Sequence, residues 1–491
     1  MEVPNLQQLS ELVQAQKVQV PAKSNQIYRK MMAGLVFFLS DISMITLSLI
    51  ISLLTRDYFW HDNIDFNLYL QILPWVVLLF PLAYYLRNLY PGYGIDVIDE
   101  LRTLTYSSTI VFAILATISF LVKGPWDYSR FVFLFSWMLS LILVPIGRSI
   151  VRKYFSKKSW WGLPVMIIGA GNAGEKVIKS LRKHEQIGLI PIVAIDDDIE
   201  RWGYIDKIPV IGGLDVIPEL AKKLNIDYAI LAMPRVPRKK QKEIILKITP
   251  YFKNLTVIPE LYGLSSLWVS TRDIGGILGL EVKQRLLKKS SYYKKRIFDI
   301  IVASILIILT LPLVLLIALF SWLDTRGNIF FKQERMGIKD TRFKIIKFRT
   351  MHLDAEKRLN EILSQNENLR REYEIYHKLT NDPRLTRIGK ILRKFSLDEL
   401  PQFWNVLKGE MSLIGPRAYM PWEKSKMLGH DELILNVLPG ISGLWQVTDR
   451  HASSFEQRIY TDIYYIRNWS MFLDIYILAR TISVVFLGKG E

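Results

Sequence analysis

The chain has 491 residues, half of them hydrophobic, which leaves room for several domains; a mean hydropathy of +0.18 points toward membrane contact. Lysine and arginine number 64 against 46 acids, a formal charge of +18, which suits nucleic acid or an anionic membrane face with phosphate-bearing substrates. There is no cysteine, so disulfides, thiolate catalysis and cysteine zinc sites are excluded, and the six histidines lack ligand spacing.

Residues 1–30 are polar and lead into no short apolar run with a small-residue cleavage site, so no removable signal peptide is expected. Four long apolar runs follow, roughly 31–54, 69–86, 105–122 and 131–147, each near the ~20 residues a helix needs to cross a bilayer. Lys17, Lys23, Arg29 and Lys30 precede the first run, and Arg148, Arg152, Lys153, Lys157 and Lys158 follow the fourth. Asp57, Asp62 and Asp65 lie in the loop after the first run. The positive-inside rule then puts residues 1–30 and everything after residue 148 in the cytoplasm. A set of buried core helices is the alternative, and the charge asymmetry weighs against it.

Next comes an α/β pattern, at about 160–265. "PVMIIGAGNAGEKVIKSL" reads as strand, glycine turn and helix, with Gly169, Gly171 and Gly174 in G-x-G-x-x-G spacing. "LIPIVAIDDD" follows as a second strand ending in Asp196, where a ribose-binding acid would stand, and "YAILAMP" is a later strand. Two readings stay open: a Rossmann-like nucleotide site, or a domain that uses its glycines only for a tight turn.

The third part starts near 285. "YYKKRIFDIIVASILIILTLPLVLLIALFSWL" is apolar, with Pro312 in its middle. Lys294, Lys295 and Arg296 precede it, and Arg326, Lys332 and Arg335 follow it. Matching basic flanks fit a helix over 297–322 that enters, breaks at Pro312 and returns to the same face; a fifth spanning helix is the alternative. "NIFFKQERMGIKDTRFKIIKFRTM" alternates apolar and basic residues and reads as a half-exposed hairpin, its basic face either incidental or turned to phosphate or membrane. Residues 354–378 read as a solvated helix, and "WSMFLDIYILARTISVVFLG" as an interfacial or core helix.

Within "RKFSLDELPQFWNVLKGEMSLIGPR", Asp398 and Glu399 are adjacent. Ser396 to Glu399 has the form of a capping box, which would start a helix through "LPQFWNVLKG" to Gly409 and explain both acids without chemistry. A helix N-terminus among basic groups is also an anion site. Lys347, Arg349 and Arg417 suit phosphate oxygens, and two carboxylates with phosphates are what Mg²⁺ commonly binds.

An ordered set of segments resembles the monotopic polyprenyl-phosphate hexose-1-phosphate transferases of bacteria. These are "KRIFDI", "FKIIKFRTM", "NDPRLTRIGKILRKFSLDELPQFWNVLKGEMSLIGPR", "LPGISGLWQV" and "YTDIYYIRNWS". The four upstream runs, the α/β domain and "LYPGYGIDVIDELR" resemble the large subfamily, so the likeness covers nearly the whole chain. It implies a membrane protein of α plus α/β class. Its parts would be a four-helix transmembrane bundle (31–150), a Rossmann-like, CoA-binding-like domain (160–265), and a catalytic domain (285–491) with a re-entrant helix and amphipathic interfacial helices.

The resemblance also implies the chemistry. Asp398 matches the nucleophile that attacks the β-phosphate of a UDP-sugar, releasing UMP; undecaprenyl phosphate then takes the sugar 1-phosphate. Glu399 matches the other half of the dyad and, with Asp398, a Mg²⁺ site. Lys347, Arg349, Arg384, Arg417, Arg450 and Asp462 fall at phosphate- or substrate-binding positions. Arg296 and Pro312 match the entry and break of the re-entrant helix. The expected setting is the bacterial inner membrane with catalysis on the cytoplasmic face, galactose as the sugar with glucose as the alternative, a homodimer, and no nucleic acid. Departures are Leu311 where serine often precedes the proline, Ala418 after Gly-Pro-Arg, and Asp449-Arg450-His451 where Gly-Arg-Asn is common.

Two rivals remain. A nucleotide-sugar oxidoreductase or dehydratase would need Tyr-x-x-x-Lys after the glycines, but Tyr154 to Lys158 precedes them. A transporter would need a polar pathway, and the four runs carry few ionisable residues, Asp41 among them.

Overall fold

The structure is a computed structural model describing residues 23–60, 66–121, 129–158, 160–259, 269–274, 277–282, 286, 289–325, 327–365, 370, 382–448 and 454–488. It divides into two compact units, Met1–Tyr262 and Gly263–Glu491.

The first unit begins with helices Lys23–Trp60, Phe66–Leu86, Val97–Leu121 and Arg130–Phe155. All four are long and apolar enough to cross a membrane. Leu134, Met138, Ile142 and Ile146 recur every fourth residue and are exposed, as a lipid-facing stripe requires. Phe80, Tyr84, Leu104, Val111 and Val144 fill the interior. The first and fourth helices approach closely at Gly147, where a Cβ would stand 2.6 Å from Met44 Cγ and 2.8 Å from Ser40 Oγ. Small residues at such crossings let helices pack where no hydrophobic driving force acts.

The charges at the end of this bundle are not all free flanks. Arg148 is buried and donates from Nε and Nη2 to both oxygens of Asp41 (2.9 and 2.6 Å). Its Nη1 reaches Glu100 at 2.9 Å, and Arg152 joins the same Glu100 oxygen at 2.8 Å. Tyr90 donates to Asp41 at 2.6 Å. Two of the five cations read as a cytoplasmic flank thus neutralise acids inside the protein, because a buried carboxylate needs a partner more than the membrane face needs a charge. Asp41 is locked in this cluster.

The cluster continues into the α/β domain. Arg152 donates to the Gln186 carbonyl (3.1 Å), and Gly94 to that of Ile187 (2.8 Å). Strands β1 (Leu163–Ile168), β2 (Leu189–Ile195), β3 (Gly203–Ile205), β4 (Ile208–Val210), β5 (Tyr228–Leu231) and β6 (Asn254–Val257) form one sheet in the order β3-β4-β2-β1-β5-β6. It is parallel except for the β3 edge. Residues alternating along the strands fill two cores, one with Met166, Ile168 and Val193, the other with Val165, Ile167 and Ala194. The β1 turn therefore opens at the point where strand order reverses, the usual ligand crevice of such sheets.

The second unit holds a hairpin of β7 (Val269–Ile274) and β8 (Ile277–Val282), then helix Lys289–Thr325. The helix runs through Pro312 without interruption, so the expected break into two helices is not seen. A proline removes one intrahelical bond but need not end a helix whose other bonds hold. Thr310 donates its hydroxyl to the Leu306 carbonyl at 2.7 Å, not to the Ile308 carbonyl that the proline leaves without its helix donor. Both ends of this helix are fastened to the same unit. Near its start, Lys295 pairs with the buried Asp474 (2.6 Å), and Asp299 accepts from Ser412 Oγ (2.7 Å). Near its end, Val314, Ile317 and Ala318 pack with Phe348, Leu392 and Leu397. Between them Ile301, Ile305, Ile308 and Leu309 are exposed.

Strands β9 (Phe330–Met336) and β10 (Arg342–Phe348) make the expected antiparallel hairpin. The expected charged helix is present over Ala355–Gln365, with Asp354 in the turn before it; the rest of that reading, apart from residue 370, lies outside the described residues. Short strands β11 (Ser412–Ile414) and β12 (Gly440–Ser442) pair in parallel, and helices Phe455–Asn468 and Met471–Phe486 close the unit.

Candidate active site

Asp398 and Glu399 sit in a short 3₁₀ turn, Leu397–Glu399, between helices Arg387–Lys394 and Gln402–Lys408. The capping box is not formed. Ser396 has a φ of +52°, in the left-handed region, and its side chain makes no capping bond. The following helix begins only after Pro401 and does end at Gly409. A tight turn carrying two acids therefore replaces the expected first helical turn, and it is held by packing. Leu397 and Leu400 join the Phe348 and Leu392 cluster on either side of the acids.

Long-range ties from Asn405 and Lys347 place the turn against β10, and one from Arg296 fastens the following helix to helix Lys289–Thr325. Asn405 accepts from the Ile346 N–H (3.1 Å) and donates to the Lys344 carbonyl (2.9 Å), bridging the helix to the strand edge. Arg296 donates to the carbonyls of Val406 and Leu407 (2.6 and 2.9 Å), capping the same helix at its negative end. Lys347, on β10, then donates to Glu399 Oε1 at 2.7 Å and lies 3.9 Å from Asp398 Oδ2. The ammonium faces both acids.

The acids differ in environment. Asp398 is buried, and burial raises its carboxyl to about 6; Lys347 and Arg393 pull it down, and Glu399 pushes it up. Arg393, held by Thr350 Oγ1 at 3.1 Å, is thus part of the setting, although it was not among the expected site residues. Among the described residues no group of three or more His, Asp or Glu side chains is placed to hold a metal. Two adjacent carboxylates with one ammonium suit a cation that brings phosphate ligands with it, as Mg²⁺ does, and not an all-protein cage.

Arg417 and Asp462 meet in a second cluster. Asp462 is fully buried and accepts from Tyr419 at 2.7 Å. Burial raises its carboxyl to about 7, against the pull of the Tyr419 hydrogen bond and of Arg458 and Arg417. Arg458 lies over the Tyr419 ring at 4.1 Å and the Trp445 ring at 5.2 Å, and Arg417 over Trp445 at 5.8 Å. Arg335 donates to the Ala418 carbonyl at 3.0 Å. Its guanidinium is lowered to about 10, by burial first and then by Arg417, with Arg458 acting the same way. Buried Nε of Arg335 and Nε and Nη2 of Arg458 have no hydrogen-bond partner. Glu399 also acts on Arg335, so the two clusters share one field. Three like charges, two of them with orphaned donors and, among the described residues, only Arg458 ion-paired, with Glu423 at 3.6 Å, are suited to an anion. Arg335 and Arg458 were missed as site residues because they come from different elements; Arg335 entered only as a flank of the apolar run.

Other expected residues are placed elsewhere. Arg349 donates to the Asn328 carbonyl (2.8 Å), and Arg384 forks onto Asp382 (2.6 Å at the shortest). Arg450 lies outside the described residues. In the α/β domain, Gly169 has a φ of +104°, and a Cβ on Gly174 would stand 1.8 Å from its carbonyl oxygen, so the fold itself demands both glycines. A Cβ on Gly171 would meet Arg201 Nη1 at 2.8 Å. Asp196 accepts from the Ala170 N–H (2.7 Å) and the Asp198 N–H (3.0 Å), and pairs with Arg201 at 3.3 Å. These contacts make the acid a brace for the turn.

Residues 290–488 match the bacterial sugar transferase family, and residues 92–259 a family described as a CoA-binding domain. A UDP-galactose-lipid carrier transferase of Erwinia amylovora is 34% identical over 394 residues, 78% of this chain and 80% of that protein. An undecaprenyl-phosphate galactose phosphotransferase of Salmonella typhimurium is 33% identical over 399 residues, covering 80% and 82%. A UDP-glucose:undecaprenyl-phosphate glucose-1-phosphate transferase of Klebsiella pneumoniae is 28% identical over 470 residues, covering 92% and 95%. With a third of its residues shared along four-fifths of such a relative, this membrane protein belongs to the bacterial sugar transferases and is a transferase enzyme.

Proposed function

We propose that the enzyme moves a hexose 1-phosphate from a UDP-sugar to undecaprenyl phosphate through a covalent intermediate on Asp398. The observation that carries this reading is the carboxyl of Asp398, buried and raised to about 6 yet faced by the Lys347 ammonium. Such a group is mostly ionised at neutral pH but poorly solvated, which favours nucleophilic attack.

An oxygen of Asp398 attacks the β-phosphorus. The bond from that phosphorus to the bridging oxygen breaks, and the electron pair leaves on UMP. A phosphate oxygen of undecaprenyl phosphate then attacks the same phosphorus, and the Asp398 carboxylate departs. No net proton is taken up. Lys347 offsets charge developing at the reacting phosphoryl group, and Arg417, Arg335 and Arg458 hold phosphate oxygens. Asp462 and Tyr419 position the arginines. Glu399 and Asp398 would hold Mg²⁺, which supplies positive charge against the donor diphosphate.

The helix is continuous through Pro312, but residues on both sides of the proline, Lys295 and Asp299 before it and Val314, Ile317 and Ala318 after it, are fastened to one unit, which supports a helix that bends at Pro312 and returns to the same face. The positive-inside rule supports catalysis on the cytoplasmic face of the inner membrane. Galactose is favoured as the sugar because the relatives at 34% and 33% identity carry galactose in their names; the Klebsiella relative favours glucose as the second reading. The product would start O-antigen, capsule or exopolysaccharide synthesis, with a homodimer as the working form.

The test uses membranes containing the protein, Mg²⁺, undecaprenyl phosphate and a panel of UDP-sugars, with UMP release as readout. One UDP-hexose, galactose first, is expected to release UMP. Wild-type release by Asp398→Asn would sink the covalent step. Reduction of NAD(P)⁺ by a UDP-sugar without UMP would favour an oxidoreductase.

A further inference from the structure

Within the first unit, a cavity of about 680 Å³ lies where the bundle meets the α/β domain. Arg29 from the start of the first helix and Lys157 and Lys158 just past the fourth line it. Arg182 and Lys207 face it from the α/β domain, with Glu185 the one acid on the wall among the described residues. Arg182 is paired with Asp206 at 3.1 Å. Arg29, Lys157, Lys158 and Lys207 have no carboxylate within ion-pair distance among the described residues.

Topology alone accounts for part of this charge, since cations after a spanning helix mark the cytoplasmic side. It does not account for Lys207 and Arg182, which belong to the α/β domain and turn to the same space. Lys207 also sits at a φ of +68° in the turn between β3 and β4, where glycine would be unstrained. Unpaired cations gathered around one volume repel each other unless an anion joins them. The wall between them is apolar, from Pro164, Ile190 and Ile208. The place differs from the glycine turn. Pro164 and Leu189, which line the cavity, lie at the starts of β1 and β2, whereas Gly169 and Asp196 follow their ends, so the cavity opens at the opposite ends of the strands.

We propose that this cavity binds a phosphate ester with an apolar portion, the chemistry shared by an anionic phospholipid and a nucleotide. A basic pocket at the cytoplasmic end of a helix bundle recognises phosphate head groups by the same physics.

The full chain would be placed in nanodiscs of phosphatidylcholine with or without phosphatidylglycerol. Native mass spectrometry would count retained phosphatidylglycerol, and anisotropy would follow labelled ATP in phosphatidylcholine alone. The wild type is compared with Lys157→Ala/Lys158→Ala/Lys207→Ala and with the arginine triple variant at the same positions. The alanine variant should lose roughly a hundredfold in affinity, about fivefold per cation, while the arginine variant keeps binding. Charge-dependent retention of phosphatidylglycerol identifies a lipid head group, and charge-dependent ATP binding a soluble nucleotide. The proposal is overturned if neither ligand binds the wild type more tightly than the alanine variant, or if the arginine variant binds no better than alanine.

Discussion

Replacing Asp398 by asparagine should end catalysis and stabilise the fold at once. Its carboxyl rises from an ordinary 3.8 to about 6 because burial disfavours the charge more than Lys347 and Arg393 favour it. The sign follows from proton linkage. Between those two values the folded chain holds the proton and the unfolded chain releases it, so stability falls as pH rises through that window. At neutral pH the two-unit shift corresponds to about 3 kcal/mol, and at pH 5 to about half of that. Asparagine keeps the shape and removes the charge. Thermal unfolding in detergent should therefore show Asp398→Asn several degrees above wild type at pH 7, a gap that narrows at pH 5 and closes near pH 4. UMP release should fall roughly 10⁴-fold or more, as for other removed nucleophiles. A variant less stable than wild type at pH 7, or a gain that does not shrink with acid, would refute the electrostatic reasoning, whatever happens to activity.

The pH profile of UMP release should show an acid limb near 6, where Asp398 takes up its proton. Lys347→Met should lower the rate about 10²–10³-fold and move that limb upward, since Lys347 lowers the Asp398 value; an unmoved limb in initial-rate titrations would dissociate the two groups. Arg148→Met should cost about 3–5 kcal/mol by leaving Asp41 and Glu100 buried without their shared partner, read as loss of folded protein in detergent. Gly174→Ala should block folding of the first unit, because its Cβ would stand 1.8 Å from the Gly169 carbonyl oxygen; a stable, monodisperse alanine variant would contradict the packing described.

Local patterns were legible in the chain. Four apolar runs of spanning length, the β-glycine-α signature and the β9–β10 alternation each depend on neighbours a few residues apart, so periodicity marks them. Asp398, Glu399 and Lys347 were legible through an ordered set of motifs, and their contact follows once the hairpin and turn pack. The capping box was the misleading local signal. It requires extended backbone at Ser396, and the packing of Leu397 and Leu400 on Phe348 holds instead a turn with Ser396 left-handed.

Only the tertiary structure decided how distant charges meet. Asp41 and Arg148 are 107 residues apart, and no spacing rule joins them. Arg335 and Arg458, from a strand and a helix far apart in sequence, stand beside Arg417 only after the chain folds. The contacts of Asp196 with the Ala170 and Asp198 N–H groups were likewise set by the fold and not by the G-x-G-x-x-G spacing. By itself the sequence determined which segments are long and apolar enough to enter lipid, where turns must hold glycine, and which acids sit side by side, since these depend on composition and short-range sterics. Which charges are buried, paired or left orphaned depends on the whole packed surroundings, because desolvation and Coulomb energy are set by every neighbour in space.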